Sequence, residues 1–67
     1  MNTHLDRMKL EHKDLSEKIE RLNLFIHGNG TFKTLCDVEQ VRMIKQAGFM
    51  ESYRATLASR IWPSGQN

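Results

Sequence analysis

Leu5, Met8, His12, Leu15, Ile19, Leu22 and Ile26 are separated by alternating steps of three and four residues, an unbroken heptad through the first third of the chain. Each step is close to one helical turn, so all seven side chains face one way, as along a coiled-coil seam. The residues between them are mostly charged. A helix with one apolar stripe and a solvated remainder has to lay that stripe against a partner. No proline or glycine precedes Gly28, so one rod is expected over residues 3–27, opened by the Thr3 hydroxyl as a cap. At ~1.5 Å per residue it is roughly 36 Å long. Acid-to-base pairs at i,i+4, Asp14 with Lys18 and Glu17 with Arg21, support its exposed face.

The remainder reads as a turn over residues 28–36 and a second helix over 37–62. Gly28, Asn29 and Gly30 offer positive-φ positions for ending the first helix, with His27 suited to its last turn. Thr31 to Leu35 has the look of a short helical turn that tucks Phe32 and Leu35 into the hairpin end. Asp37 is expected to open the second helix with Gln40 as its capping-box partner. Val41, Ile44, Ala47, Met50, Tyr53, Leu57 and Ile61 form its apparent stripe, and Pro63 blocks continuation past Trp62. Gly48 inside the helix costs about 1 kcal/mol relative to alanine, which points to a close crossing of helices there. Residues 63–67 are expected to form a disordered tail.

Two long helices joined by a short connection fold back on each other. The expected fold is therefore all-α, one domain over residues 1–62, an antiparallel two-helix hairpin with a connecting helical turn. Leu22 and Ile26 are expected to meet Val41 and Ile44, and Leu5 and Met8 to meet Leu57 and Ile61. Met43, Phe49 and Trp62 fall outside the stripe and leave a second surface to bury, so the hairpin is expected to assemble into a homo-oligomeric helical bundle. Sixty-seven residues with one cysteine allow no internal disulfide to supply the missing stability. No membrane-spanning run and no basic-then-apolar leader is visible, so a cytoplasmic protein is expected.

The formal charge is +2, and the acids and bases of residues 1–27 balance. The excess lies later, where Lys33, Arg42, Lys45, Arg54 and Arg60 face Asp37, Glu39 and Glu51. That bias falls short of a nucleic-acid footprint and leaves room for a small anion. Gln46, Tyr53 and Arg60 recur with a seven-residue period along one edge of the second helix. Tyrosine stacks on a base, arginine pairs with phosphate and glutamine reads a base edge, so the three are candidate ligand residues. Lys45 and Arg54 flank them, and His12, a polar residue in the first seam, is expected near the Tyr53 to Leu57 level. The alternative role for these groups is setting helix register and oligomer state.

Nothing in the spacing supports an enzyme, a cofactor or a metal. His4, His12 and His27 are not placed as ligands at i,i+4. Cys36 has no histidine base near it in sequence and reads as a buried residue at the hairpin corner. The paired acids Asp14 and Glu17 lie on the solvated face.

Leu22, Phe25, Ile26, Phe32, Leu35, Gln46, Met50, Tyr53, Leu57, Arg60 and Ile61 together resemble a family of short, mostly uncharacterised phage and prophage proteins related to a protein of a crAss-like phage. The likeness runs over residues 5–61. It implies a phage accessory protein working in the bacterial cytoplasm. In architecture the chain is also similar to the helical-hairpin sponge proteins with which phages sequester cyclic nucleotide signals of CBASS and Thoeris immunity. That likeness implies a counter-defence role by ligand binding at subunit interfaces. The other functions compatible with the sequence are an interaction module that inhibits or adapts a host protein, a host defence protein among the candidate partners, and a small DNA-associated regulator.

Overall fold

A computed structural model describes residues 3–28 and 30–63. Its described residues form two long helices, α1 (His4–Gly28) and α3 (Asp37–Ile61), packed together and joined through a one-turn helix, α2 (Thr31–Thr34). Except for Pro63, the expected tail lies outside the described residues, as does Asn29.

Thr3 and Asp6 start α1 with a reciprocal box. The Asp6 amide donates to the Thr3 hydroxyl oxygen at 3.0 Å, and the Thr3 amide donates to the Asp6 carboxylate at 3.3 Å. Two otherwise orphaned amides are satisfied this way, and the acid sits at the positive end of the helix. The α1 heptad faces inward as expected: Leu15 and Ile19 are buried, and Met8, His12, Leu22 and Ile26 are half-buried. Leu5 stays 42% exposed. Trp62, just past the end of α3, meets His12 two turns into α1, so the first turns of α1 project beyond the partner helix. The expected match of Leu5 to the end of α3 is therefore not made.

The connection differs from expectation in its chemistry. Neither Gly28 nor Gly30 has a positive φ; Gly28 is helical and Gly30 lies at φ −63°, ψ −19°. The turn into α3 is made instead by two extended residues, Leu35 (ψ 153°) and Cys36 (ψ 159°). Cys36 is the N-cap of α3 and supplies no side-chain cap, so the box between Asp37 and Gln40 does not form. Gln40 turns back to α2, its amide donating to the Leu35 carbonyl at 2.8 Å and the Lys33 carbonyl at 3.4 Å. These carbonyls end a helix too short to satisfy them itself. Cys36 is exposed, not buried at the corner. Phe32 is buried, edge-on to Phe25 with centroids 6.3 Å apart, and closes this end of the hairpin.

The face of α3 that meets α1 is rotated from the expected one. Met43, Ala47, Met50, Arg54, Leu57 and Ile61 are buried or half-buried, whereas Val41, Ile44 and Tyr53 are 51%, 54% and 47% exposed. Steps of three, repeated from 41 to 53, drift by about 60° around the helix at each step. The alternation of four and three from 43 to 61 holds one face. Arg54 joins it because its aliphatic stem can lie on the seam with its head toward water. The helix stops at Ile61, since Trp62 precedes Pro63 and sits at φ −124°, ψ 62°, outside the helical region. Among the described residues no acid and base close to ion-pair distance, so the i,i+4 pairs of α1 remain solvated.

The result is one helix layer thick, with extents of 45 × 26 × 17 Å. Its radius of gyration is 14.8 Å, against about 11 Å for a compact chain of this length. It exposes 5225 Å², against roughly 4400 Å² for a compact monomer of its mass. Ile19 and Leu57, 2% and 1% exposed, are the best-buried positions. Ile19→Ala and Leu57→Ala are each expected to cost about 2–5 kcal/mol in denaturant unfolding. Leu5→Ala should cost less than about 0.5 kcal/mol. An equal loss at Leu5 would contradict the overhang of α1.

Candidate functional site

The six candidate residues fall into three places. Lys45, Gln46 and Tyr53 stand together on one edge of α3, where they line a shallow groove of about 460 Å³ with Arg42, Phe49 and Met50. The helix brings them together because 42, 46, 49 and 53 follow steps of four, three and four. Gln46 is held by its amide against the Met50 sulfur at 4.0 Å. Arg42 and Lys45 are the only charged side chains lining the groove, so it is cationic, and Phe49, 73% exposed, and Tyr53 give it two aromatic faces. Arg60 follows the same edge two turns beyond Tyr53 and does not line the groove.

Tyr53 is the ridge between this groove and a second one. Its hydroxyl donates to the Glu11 carboxylate of α1, and its ring also lines a groove of about 350 Å³ with Arg7, Leu10, Glu11, Asp14 and Lys18. The α1 contact fixes where the ring stands relative to the hairpin. Arg54, predicted as a flanking residue, lies on the other side of the α1–α3 seam, in a groove with Ser16, Glu20, Asn23 and His27. His12 is also apart. Its ring meets Trp62 edge-on at 5.2 Å, so it closes the open end of the hairpin and does not join the edge groove.

Arg42, Phe49 and Met50 are the lining residues that sequence reasoning did not assign to the site. The seven-residue period that selected Gln46, Tyr53 and Arg60 follows a single line along the helix and skips the intervening turns. The signal was present in the i,i+3 and i,i+4 neighbours of Gln46 and Tyr53. Among the described residues no group of three or more His, Cys, Asp or Glu side chains could hold a metal ion. No described helix is long and apolar enough to cross a membrane.

The exposed Tyr53–Glu11 bond is expected to contribute less than about 1 kcal/mol. Tyr53→Phe and Glu11→Ala should each produce a small fall in melting temperature. The double variant should lose less than the sum of the two, because both changes remove the same interaction. Strict additivity in a double-mutant cycle would show that the bond does not form in solution.

No curated protein and no solved structure matches the chain. One family model, described as Sequestin, matches residues 2–62, which takes in α1, the connector and α3 with every candidate residue on them. The chain belongs to the Sequestin family.

Proposed function

We propose that this is a non-enzymatic binding protein that sequesters a small anionic signal, a cyclic nucleotide in its most concrete form, in the edge groove of α3. The observation that carries this is the groove itself: two cations, Arg42 and Lys45, and two aromatic faces, Phe49 and Tyr53, with no carboxylate among the lining side chains. Phosphate pairs with arginine and lysine, and a base stacks on an aromatic ring. The amide of Gln46 adds a donor and an acceptor for a base edge. The family name is compatible with a sequestering role. Counter-defence during phage infection, in the bacterial cytoplasm, is the setting that the likeness to sponge proteins supplies.

Assembly into a homo-oligomer is the second part of the proposal. The exposure in excess of a compact monomer is roughly 800 Å², about one partner's share of a standard interface. Val38, Val41 and Ile44, each more than half exposed, lie on the side of α3 turned from α1, beside the edge groove. Burying them against another copy places the groove at the subunit boundary. Gly48 lies on the same face as Val41 and Ile44, and nothing stands within 4 Å of where its Cβ would be. A crossing between copies explains a glycine there.

Isothermal titration of the full chain, at tens of micromolar, against cyclic di- and trinucleotides and cyclic ADP-ribose isomers tests the ligand. Heat is expected with at least one. Tyr53→Ala and Arg42→Met should each weaken it by about tenfold or more. Arg60→Met, outside the groove, should change it less than about threefold. No heat with any ligand would remove the sponge reading. Its rival is an interaction module for a host defence protein, favoured by the 73% exposure of Phe49; that reading predicts a stoichiometric complex with one purified defence protein, lost in Phe49→Ala.

Sedimentation at micromolar concentration should give at least a dimer; a clean 7.8 kDa species would contradict the assembly. Gly48→Ala gains about 1 kcal/mol in a lone hairpin. Across a close crossing it reduces the oligomer mass instead, which is the outcome expected here.

A further inference from the structure

On the side of the seam away from Tyr53, α1 and α3 border a groove of about 640 Å³ that contains Arg54. Arg54 occupies a seam position between Met50 and Leu57, where the heptad of α3 calls for an apolar residue, and it is half-buried. Its guanidinium has no hydrogen bond or ion pair with any described residue. A guanidinium with its head toward water and no acceptor on the protein is open to an arriving anion. Two further donors line the same groove, the Ser16 hydroxyl and, about three turns farther along α1, the His27 imidazole at the groove's far end. Asn23, also in the wall, donates to the Glu51 carboxylate at 3.3 Å, a bond that ties α1 to α3 beside the groove. Glu20 is the one carboxylate in the lining, and Ile19 and Leu24 supply its apolar part.

We propose that this groove is a second ligand site, distinct from the edge groove, that takes a small phosphorylated polyol of the sugar-phosphate class. The phosphate is held by the guanidinium fork of Arg54 with the Ser16 hydroxyl, and Glu20, one turn farther along α1, accepts from the ligand's hydroxyls. Neither a phenylalanine, a tyrosine nor a tryptophan lines the groove, so it offers a base no stacking platform of the kind Phe49 and Tyr53 give the edge. The two grooves therefore differ in ligand class.

Titration of the ¹⁵N-labelled full chain with ribose 5-phosphate, followed residue by residue through its amide resonances, tests this. Saturating shifts are expected at Ser16, Glu20, Asn23 and Arg54, at concentrations about tenfold below those at which ribose alone has any effect. Arg54→Met should weaken the response about tenfold or more, and Arg54→Lys, which keeps the charge but loses the fork, by several-fold. Tyr53→Ala should leave it unchanged. Should Arg54→Met lose its dispersed spectrum, Arg54→Lys alone decides: a response equal to the parent's overturns the assignment. No shifts at millimolar ribose 5-phosphate would also overturn it, as would shifts confined to Gln46, Phe49 and Tyr53. None of these outcomes depends on whether the edge groove binds a cyclic nucleotide, because that binding is read by Tyr53→Ala and Arg42→Met.

Discussion

A narrow apolar seam between two antiparallel helices bears nearly all of this structure. Leu15 and Ile19 on one side and Ala47, Leu57 and Ile61 on the other are its buried members, with Phe32 closing the turn. A seam of that width can align two helices but cannot enclose anything, because each helix has one neighbour and the rest of its circumference faces water. Thickness, elongation and excess surface all follow from this one limit. So does the position of polar chemistry: with no interior to hold a ligand, binding groups can converge only along the two edges where the helices meet solvent.

The first helix was legible because its spacing admits one face. A strict alternation of three and four leaves no second way to lay Leu15 and Ile19 inward, and Thr3 with Asp6 marks the start in the same local code. The second helix was misphased for a physical reason. Val41 and Ile44 are more apolar than Met43 and Arg54, so hydrophobicity alone favours the wrong line. Geometry favours the other, since only the series from Met43 to Ile61 keeps pace with the helix. The connector was misread on similar grounds. Glycines suggested a left-handed turn, but the direction change came from two extended residues, Leu35 and Cys36, whose types carry no such signal.

For the site, single-line periodicity found Gln46 and Tyr53 and overlooked the neighbours that make a groove of them. Arg54, expected as a flanking residue, is carried by the 100° advance per residue from that exposed edge into the seam, where it faces the other groove. That separation divides the two grooves. Tyr53 and Arg54 are adjacent in sequence, yet one forms the wall of a cationic, aromatic edge and the other a guanidinium in a polar groove across the hairpin.

A one-layer hairpin also constrains how tightly either edge can hold a ligand. Open grooves leave much of a small molecule in water, and charge pairs at such positions are screened. Useful sequestration therefore calls for a second wall. On this chain the side of α3 that bears Val38, Val41, Ile44 and Gly48 has no covering element among the described residues, and it adjoins the groove that holds Arg42 and Lys45. Covering that face would remove apolar surface from water and desolvate the neighbouring cations in one step. Assembly and ligand affinity would then be coupled: an anion offsets the cost of bringing Arg42 and Lys45 toward a boundary of low dielectric, and each copy added makes the anion's site less wet.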